Sequence, residues 1–123
     1  MYIIIWAFIV KTTRQREFEK IYGPDGAWVE FFKQGEGYIQ TELFPDSASA
    51  RRHFTVDCWT SSAAYDAFRA KNAAEYARLD DLCSELTEAE THIGSFTVDG
   101  RLEKSSRQGT FGKIWIRLMK LVS

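Results

Sequence analysis

The residues best suited to chemistry lie on one face of a predicted strand at 52–59. Apolar and polar residues alternate along this strand, which places every second side chain on the same face. The polar face would carry His53, Thr55, Asp57 and Trp59. His53 and Asp57 could act as a base and its orienting group, but the strand rise separates them by about 13 Å. The large aromatic Trp59 beside these polar groups predicts that the face looks into a cavity or a partner.

A long helix is predicted to follow this strand, from Ser61 to about Thr87. Ser61 has the side chain of a helix N-cap, and apolar residues recur at steps of three and four. The seam consists of Tyr65, Phe68, Asn72, Tyr76, Leu79, Cys83 and Leu86. Asn72 interrupts this apolar seam, and a buried amide needs hydrogen-bond partners. Asn72 should therefore bind backbone or face a cleft, and Tyr65 could either pack or serve the site.

The remaining elements give the order β-α-β-β-α-β. The apolar segment 1–10 predicts a central strand, and Thr12 and Thr13 are expected to cap a first helix. The turn at 23–26 should break that helix, with Asp25 capping a short second one. Further strands are predicted at about 37–44 and 91–98. This order predicts an α+β, ferredoxin-like βαββαβ fold, with a four-stranded antiparallel sheet and both helices on one face.

Composition limits the class of protein. The chain has 123 residues, 45% of them hydrophobic, which indicates one folded domain. A net charge of −1 does not favour nucleic acid as a partner. Cys58 and Cys83 are expected to be buried free thiols, as in a cytoplasmic protein. The apolar start lacks the basic residues and the cleavage site of a signal peptide.

Several catalytic motifs are missing from the sequence. It has no Cys/His cluster typical of zinc, no glycine-rich phosphate loop and no Gly-x-Ser-x-Gly nucleophile. Redox chemistry would therefore need a bound cofactor, or a substrate that itself reacts with oxygen.

Four segments and their order carry a resemblance to a known family. The segments are Trp6-Ala7-Phe8-Ile9-Val10-Lys11, Gly37-Tyr38-Ile39-Gln40-Thr41-Glu42-Leu43, Asp57-Cys58-Trp59 with Ser61, Tyr65 and Phe68, and His92-Ile93-Gly94-Ser95-Phe96. Over roughly residues 2–98 the chain resembles the antibiotic biosynthesis monooxygenases, which are small dimeric ferredoxin-like (α+β barrel) proteins.

The resemblance implies a mechanism without metal, haem or flavin. Members that oxidise phenols and anthrones deprotonate the substrate, whose carbanion passes an electron to oxygen. Trp59 and Tyr65 match two pocket residues of those members, and Thr55 stands where they have Asn. The predicted catalytic residues are Trp59, Tyr65, Asn72 and Thr55. The predicted substrate-binding residues are His53, Asp57, Tyr38 and Phe68. The haem-degrading branch fits less well, because the second helix has no His for the iron.

One sheet face would remain uncovered by helices and too apolar for solvent. The residues expected on it are Ile5, Ala7, Ile9, Tyr38, Phe44 and Trp59. Two such faces in apposition would form a homodimeric α+β barrel; the alternative is that the tail covers the face.

The segment 101–123 is predicted to be a separate basic tail after a domain at 1–100. It contains 6 Lys/Arg and 1 Asp/Glu, against 10 and 16 in residues 1–100. Apolar residues at helical spacing within 111–122 predict an amphipathic helix that docks on the body or on a partner. Membrane contact and strand addition remain as alternatives.

These observations favour a cofactor-independent monooxygenase acting on a small aromatic, quinol or polyketide-like compound. The competing hypothesis is a non-enzymatic dimer that binds a small ligand or is purely structural. An internal pocket bounded by Trp59, Tyr65 and Asn72 would favour the enzyme or the ligand-binding protein. A closed interior packed by side chains would favour the purely structural dimer.

Overall fold

The structure, a computed structural model, describes residues 1–98. Its elements are β1 (Tyr2–Val10), α1 (Gln15–Tyr22), α2 (Ala27–Phe32), β2 (Tyr38–Asp46), β3 (Ser49–Trp59), α3 (Ser62–Lys71), α4 (Ala73–Cys83) and β4 (Thr87–Thr97). Short 3-10 turns precede α1 and β4. The predicted tail at 101–123 and the domain boundary at 100 lie outside the described residues.

The four strands form one antiparallel sheet in the order β2-β3-β1-β4. This order confirms the predicted ferredoxin-like α+β fold. The apolar strand β1 lies between β3 and β4, as its sequence predicts, and Ile3, Ile5 and Val10 are completely buried. Residues on both faces of β1 are buried, as its nearly continuous apolar sequence predicts.

The helices cover one face of the sheet, which we call the helix-covered face. Its core residues are Ile4, Phe8, Val10, Phe18, Tyr22, Trp28, Phe31, Phe32, Trp59, Phe68, Cys83 and Leu86. A second apolar cluster comprises Ile3, Ile5, Ala7, Phe54, Val56 and Cys58, the residues that alternate with them along β1 and β3. The homodimer predicted to use that second face stays a prediction.

Two residues lie on the opposite face from the one expected. Trp59 and Tyr38 belong to the helix-covered face and not to the face of Ile5. Trp59 pairs with Tyr2, so it shares the face of the even-numbered residues of β1. A shift in register between Tyr38 and Gln40 turns Tyr38 to the same side. Alternation within each strand was predicted correctly, whereas the register between strands was not.

The helix starts differ from prediction except at Ser61. Its hydroxyl accepts a hydrogen bond from the Ala64 amide at 3.1 Å, which makes it the N-cap of α3. Thr12 and Thr13 instead form a 3-10 turn, and α1 begins at Gln15 without a side-chain cap. Gly26, not Asp25, occupies the N-cap position of α2.

The predicted long helix is two helices that meet at Asn72. The Asn72 side-chain amide donates to the Phe68 carbonyl at 3.0 Å, and the backbone there leaves the helical region. The Phe68 carbonyl also accepts the Asn72 backbone N–H at 3.0 Å, so the helical hydrogen bond is kept and the break lies in the backbone dihedral angles of Asn72. The apolar seam nevertheless continues across it, because Phe68, Cys83 and Leu86 are all buried.

Candidate functional site

A cleft opens between the helix-covered face and the helices α1, α2 and α4. It is lined by Trp6, Phe8, Tyr22, Trp28, Phe32, Thr41, Thr55, Asp57, Tyr76, Asp80 and Glu90. The empty space is about 390 Å³ with its open mouth included, but only about 30 Å³ admits the centre of a water-sized sphere. By that second measure a single water needs roughly 10–15 Å³, so the inner slot holds about two waters. A ring-sized ligand must therefore enter from the mouth and move side chains there.

The floor of the cleft is a buried carboxylate in a hydrogen-bonded chain. The Thr41 hydroxyl donates to Asp57 Oδ1 at 2.7 Å, and the Tyr38 hydroxyl lies 2.8 Å from Thr41 Oγ1. The contact follows from sheet register, because Thr41 and Asp57 are direct partners on β2 and β3. Directly opposed side chains in an antiparallel pair lie close enough to bond.

Burial raises the pKa of two groups among these hydrogen-bonded residues, Asp57 and Tyr38. Asp57 is 8% exposed, and desolvation raises its pKa from 3.8 to about 7, although the hydrogen bond from Thr41 acts in the opposite direction. Desolvation also raises the pKa of the Tyr38 hydroxyl, to about 12. Asp57 can therefore exchange a proton near neutral pH, which is the property required of a general base.

The walls of the cleft are aromatic. Three elements contribute them: β1 supplies Trp6 and Phe8, the region of α1 and α2 supplies Tyr22, Trp28 and Phe32, and α4 supplies Tyr76. The rings pack on one another, as in the edge contact of Trp28 with Tyr76 at 5.1 Å between centroids. Such walls suit a flat apolar ligand, with the carboxylate at the floor as a fixed polar contact.

Two carboxylates from separate elements lie at the mouth. Asp80 on α4 and Glu90 on β4 are both exposed. Partial desolvation, and then the negative charge of Asp80, raise the pKa of Glu90. Among residues 1–98, no Lys, Arg or His lines the cleft, so this part of the chain makes the entrance acidic.

Two of the eight sequence-predicted site residues line this cleft. Thr55 and Asp57 are neighbours on the same face of β3, as the alternation predicts, and are 4% and 8% exposed. Tyr38 reaches the floor indirectly, through its hydroxyl contact with Thr41. The structure thus brings together a part of the predicted set around Asp57.

Trp59, Tyr65 and Phe68 form an aromatic cluster beside the cleft without lining it. The Trp59 ring packs 5.5 Å from that of Tyr65 and 5.2 Å from that of Phe68. The indole nitrogen of Trp59 is buried with no hydrogen-bond partner among residues 1–98. The Tyr65 hydroxyl accepts from Arg69 Nη1 at 3.0 Å. A catalytic role for Trp59 and Tyr65 stays a prediction.

Asn72 and His53 lie elsewhere. Asn72 borders a separate hollow with Phe68, and its amide is engaged with backbone, one of the two expected arrangements. His53 is 1% exposed, so it is not solvated; its Nε2 is 3.1 Å from a Glu19 carboxylate oxygen and its ring packs on Phe18. His53 therefore belongs to the junction of β3 with α1.

Sequence reasoning missed the polar residues that other elements bring to the cleft. Thr41 carried one usable signal, since it is polar and alternates with apolar Leu43 on the inner face of β2. Asp80 and Glu90 carried none, because an exposed carboxylate on a helix or an edge strand is ordinary. Only packing of α4 beside β4 makes them part of a site.

Metal ligands do not cluster in the described part of the chain. Within residues 1–98, no three His, Cys, Asp or Glu side chains are grouped so as to hold a metal ion. The carboxylates of the cleft are spread from floor to mouth. Among the same residues, no helix combines the length and the apolar character that crossing a bilayer requires.

Comparison with solved structures identifies similar folds. SnoaB, a cofactor-independent oxygenase from Streptomyces nogalater, is 19% identical with a TM-score of 0.64, over 80% of this chain and 92% of that chain. A protein from Nitrosomonas europaea, named as a candidate antibiotic biosynthesis monooxygenase, is 14% identical with a TM-score of 0.59, over 80% and 98%. One of the same description from Deinococcus radiodurans is 10% identical with a TM-score of 0.63, over 80% and 93%.

Sequence comparison gives no such match. No protein-family model matches the chain, and no curated protein matches it significantly. Because the sequence identities are below 20%, the structural similarity shows a shared fold and not a shared chemistry. The chain therefore has the ferredoxin-like fold found in the antibiotic biosynthesis monooxygenases, as the order of its segments predicts.

Proposed function

We propose that the chain is a cofactor-independent monooxygenase that oxidises a small aromatic, quinol or polyketide-like compound with molecular oxygen. One observation carries the proposal: a carboxylate, Asp57, lies at the floor of an aromatic cleft with its pKa raised to about 7. At neutral pH about half of such groups are ionised and ready to accept a proton. Asp57 takes the place of the more familiar imidazole base.

In the proposed reaction Asp57 removes a proton from an acidic C–H or O–H of the substrate. The resulting anion passes one electron to oxygen, and the two radicals combine to form a C–O bond as a peroxide. For a substrate with a reactive CH₂ group, cleavage of the O–O bond then gives a carbonyl and water. The balance is R₂CH₂ + O₂ → R₂C=O + H₂O, in which oxygen is the sole oxidant.

Hydroxyl groups near Asp57 would stabilise the negative charge that develops on the substrate. Thr55 lines the cleft two positions before Asp57 on the same face of β3. Its hydroxyl can donate one hydrogen bond to a substrate oxyanion. Thr41 is already committed to Asp57, so it holds the base in place and moderates its pKa.

A second candidate function is non-enzymatic binding of a small ligand. The narrowness of the inner slot, about 30 Å³, favours it, because oxidation of a fused-ring compound requires more room beside Asp57. The position of Trp59 outside the cleft points in the same direction. Both functions use the same cleft, so turnover decides between them.

Oxygen uptake tests the proposal directly. Wild-type protein is mixed with reduced naphthoquinols or anthrones in metal-free buffer, and the product is identified by mass spectrometry with ¹⁸O₂. We expect uptake that exceeds autoxidation, and a 10²- to 10⁴-fold loss in Asp57→Asn. Asp66→Asn, an exposed carboxylate on α3, is the matched control and should behave as wild type. Equal uptake by Asp57→Asn and wild type would reject Asp57 as the base, and no uptake on a broad panel would favour the binding function.

A further inference from the structure

We propose that the cleft selects a positively charged aromatic ligand, with its cationic group at the mouth and its reactive end at Asp57. This inference rests on the proposed function in using the same cleft and the same base. It concerns binding, however, and can be tested without oxygen chemistry.

The charge of the cleft lining is one-sided. Its carboxylates are Asp57, Asp80 and Glu90, and no basic side chain from residues 1–98 lines it. Asp80 and Glu90 repel one another across the mouth. An ammonium group placed between them would be attracted to both carboxylates and would offset this repulsion. Arg69 is in electrostatic range of Asp80, but its guanidinium stacks on the Tyr76 ring at 3.7 Å and is not part of the lining.

The floor supplies an observation independent of the acidic mouth. Asp57 is more than nine-tenths buried, and within residues 1–98 Thr41 is its single hydrogen-bond partner, through Oδ1. Its other oxygen accepts no hydrogen bond from residues 1–98, so it can accept one from a ligand inside the cleft. A buried carboxylate with an unused oxygen calls for a donor such as a ligand hydroxyl.

The aromatic walls suit the same ligand. Six of the lining residues from the described part of the chain are aromatic, and aromatic rings attract organic cations. The Tyr76 ring already holds a cation, the guanidinium of Arg69 at 3.7 Å. A metal ion would not gain from such walls, and the three carboxylates do not form a group that could hold one. A phenol or quinol ring with an ammonium-bearing side chain fits all three parts of the cleft. Its hydroxyl would meet Asp57 at the floor, its ring the aromatic walls, and its ammonium group the carboxylates at the mouth.

Three phenols of matched shape test this inference: tyramine (cationic), 4-propylphenol (neutral) and 3-(4-hydroxyphenyl)propanoate (anionic). Their binding is measured without oxygen by tryptophan fluorescence and calorimetry, at pH 7.5 and low salt. We expect tyramine to bind at least about tenfold more tightly than 4-propylphenol and the anion to bind most weakly. Raising the salt concentration should reduce the preference.

Charge-removing variants locate the effect. Asp80→Asn and Glu90→Gln should each lower the affinity for tyramine by about three- to tenfold and leave 4-propylphenol unchanged. Asp81→Asn, which removes the adjacent charge on α4 outside the cleft, is the matched control and should change neither affinity. An equal effect of Asp80→Asn and Asp81→Asn would overturn the proposal, since the charge would then act from a distance.

The outcomes separate this inference from the function on which it rests. A cation preference in binding, without oxygen uptake on the cationic catechol dopamine or on the naphthoquinols and anthrones, would support the ligand class and reject the oxygenase. Oxygen uptake with neutral naphthoquinols and no charge preference would support the oxygenase and overturn the ligand class. Failure of all three phenols to bind would also overturn it.

Discussion

Asp57→Asn should make the protein more stable, and increasingly so as the pH rises. The folded state holds a proton on Asp57 up to about pH 7, whereas the unfolded chain releases it near the ordinary value of 3.8. Between these values the folded protein binds more protons than the unfolded chain, so its stability falls as the pH rises. The gap between 3.8 and about 7 corresponds to about 4 kcal/mol at alkaline pH. Asn has nearly the same shape, keeps an oxygen for the Thr41 hydroxyl and carries no charge.

Urea denaturation at a series of pH values from 3 to 9 measures this effect. The free energies of unfolding of wild type and Asp57→Asn should agree near pH 3–4, diverge up to about pH 7 and then stay about 4 kcal/mol apart. Other groups titrate in both proteins and cancel in the difference. Asp66→Asn should follow wild type throughout. Parallel curves for Asp57→Asn and wild type would refute the reasoning, because they would mean that Asp57 ionises as an ordinary surface carboxylate.

Four further predictions concern other parts of the chain. Thr41→Val removes a hydrogen bond that lowers the pKa of Asp57, so the pH profile of activity, or the titration of Asp57 followed by NMR, should move to higher pH. A profile that does not move would exclude Thr41 as the partner of Asp57. Trp59→Phe should lower turnover about a hundredfold if the indole N–H is catalytic, as the resemblance implies. A loss of about 1–3 kcal/mol of stability with unchanged turnover would show that Trp59 only packs. Sedimentation at micromolar concentration should give a homodimer, as the apolar second face predicts, and a monomer with the tail intact would contradict this. Deletion of 105–123 should lower stability or solubility in thermal unfolding; an unchanged melting temperature with lost liposome binding would favour the membrane role of the tail.

The site shows where local pattern is informative. Alternation along β3 places Thr55 and Asp57 on one face and predicts that this face looks inward, and both residues line the cleft. This works because the pleat of a strand is a property of its own backbone. The Ser61 cap was predictable for the same reason, since its partner Ala64 is three residues away.

The break at Asn72 marks the limit of such reasoning on helices. The apolar seam runs on through α3 and α4, so periodicity alone predicts one continuous helix. At Asn72 the backbone leaves the helical region, and both the side-chain amide and the backbone N–H donate to the Phe68 carbonyl. A polar residue in such a seam can bond either to the backbone of its own helix or to a neighbouring element, and tertiary packing determines which bond forms.

The order of elements, the buried strand β1 and the alternation along β3 can be read from the sequence, because these follow from side-chain spacing within single segments. Tertiary structure decided how the segments meet. The register of β2 on β3 placed Thr41 against Asp57, and the bulge at Tyr38 turned that ring to the helix-covered face. Packing of α4 beside β4 brought Asp80 and Glu90 to one mouth. Register and packing depend on contacts between residues far apart in the chain. The same contacts remove Asp57 from water, and this desolvation, not the residue type, raises its pKa.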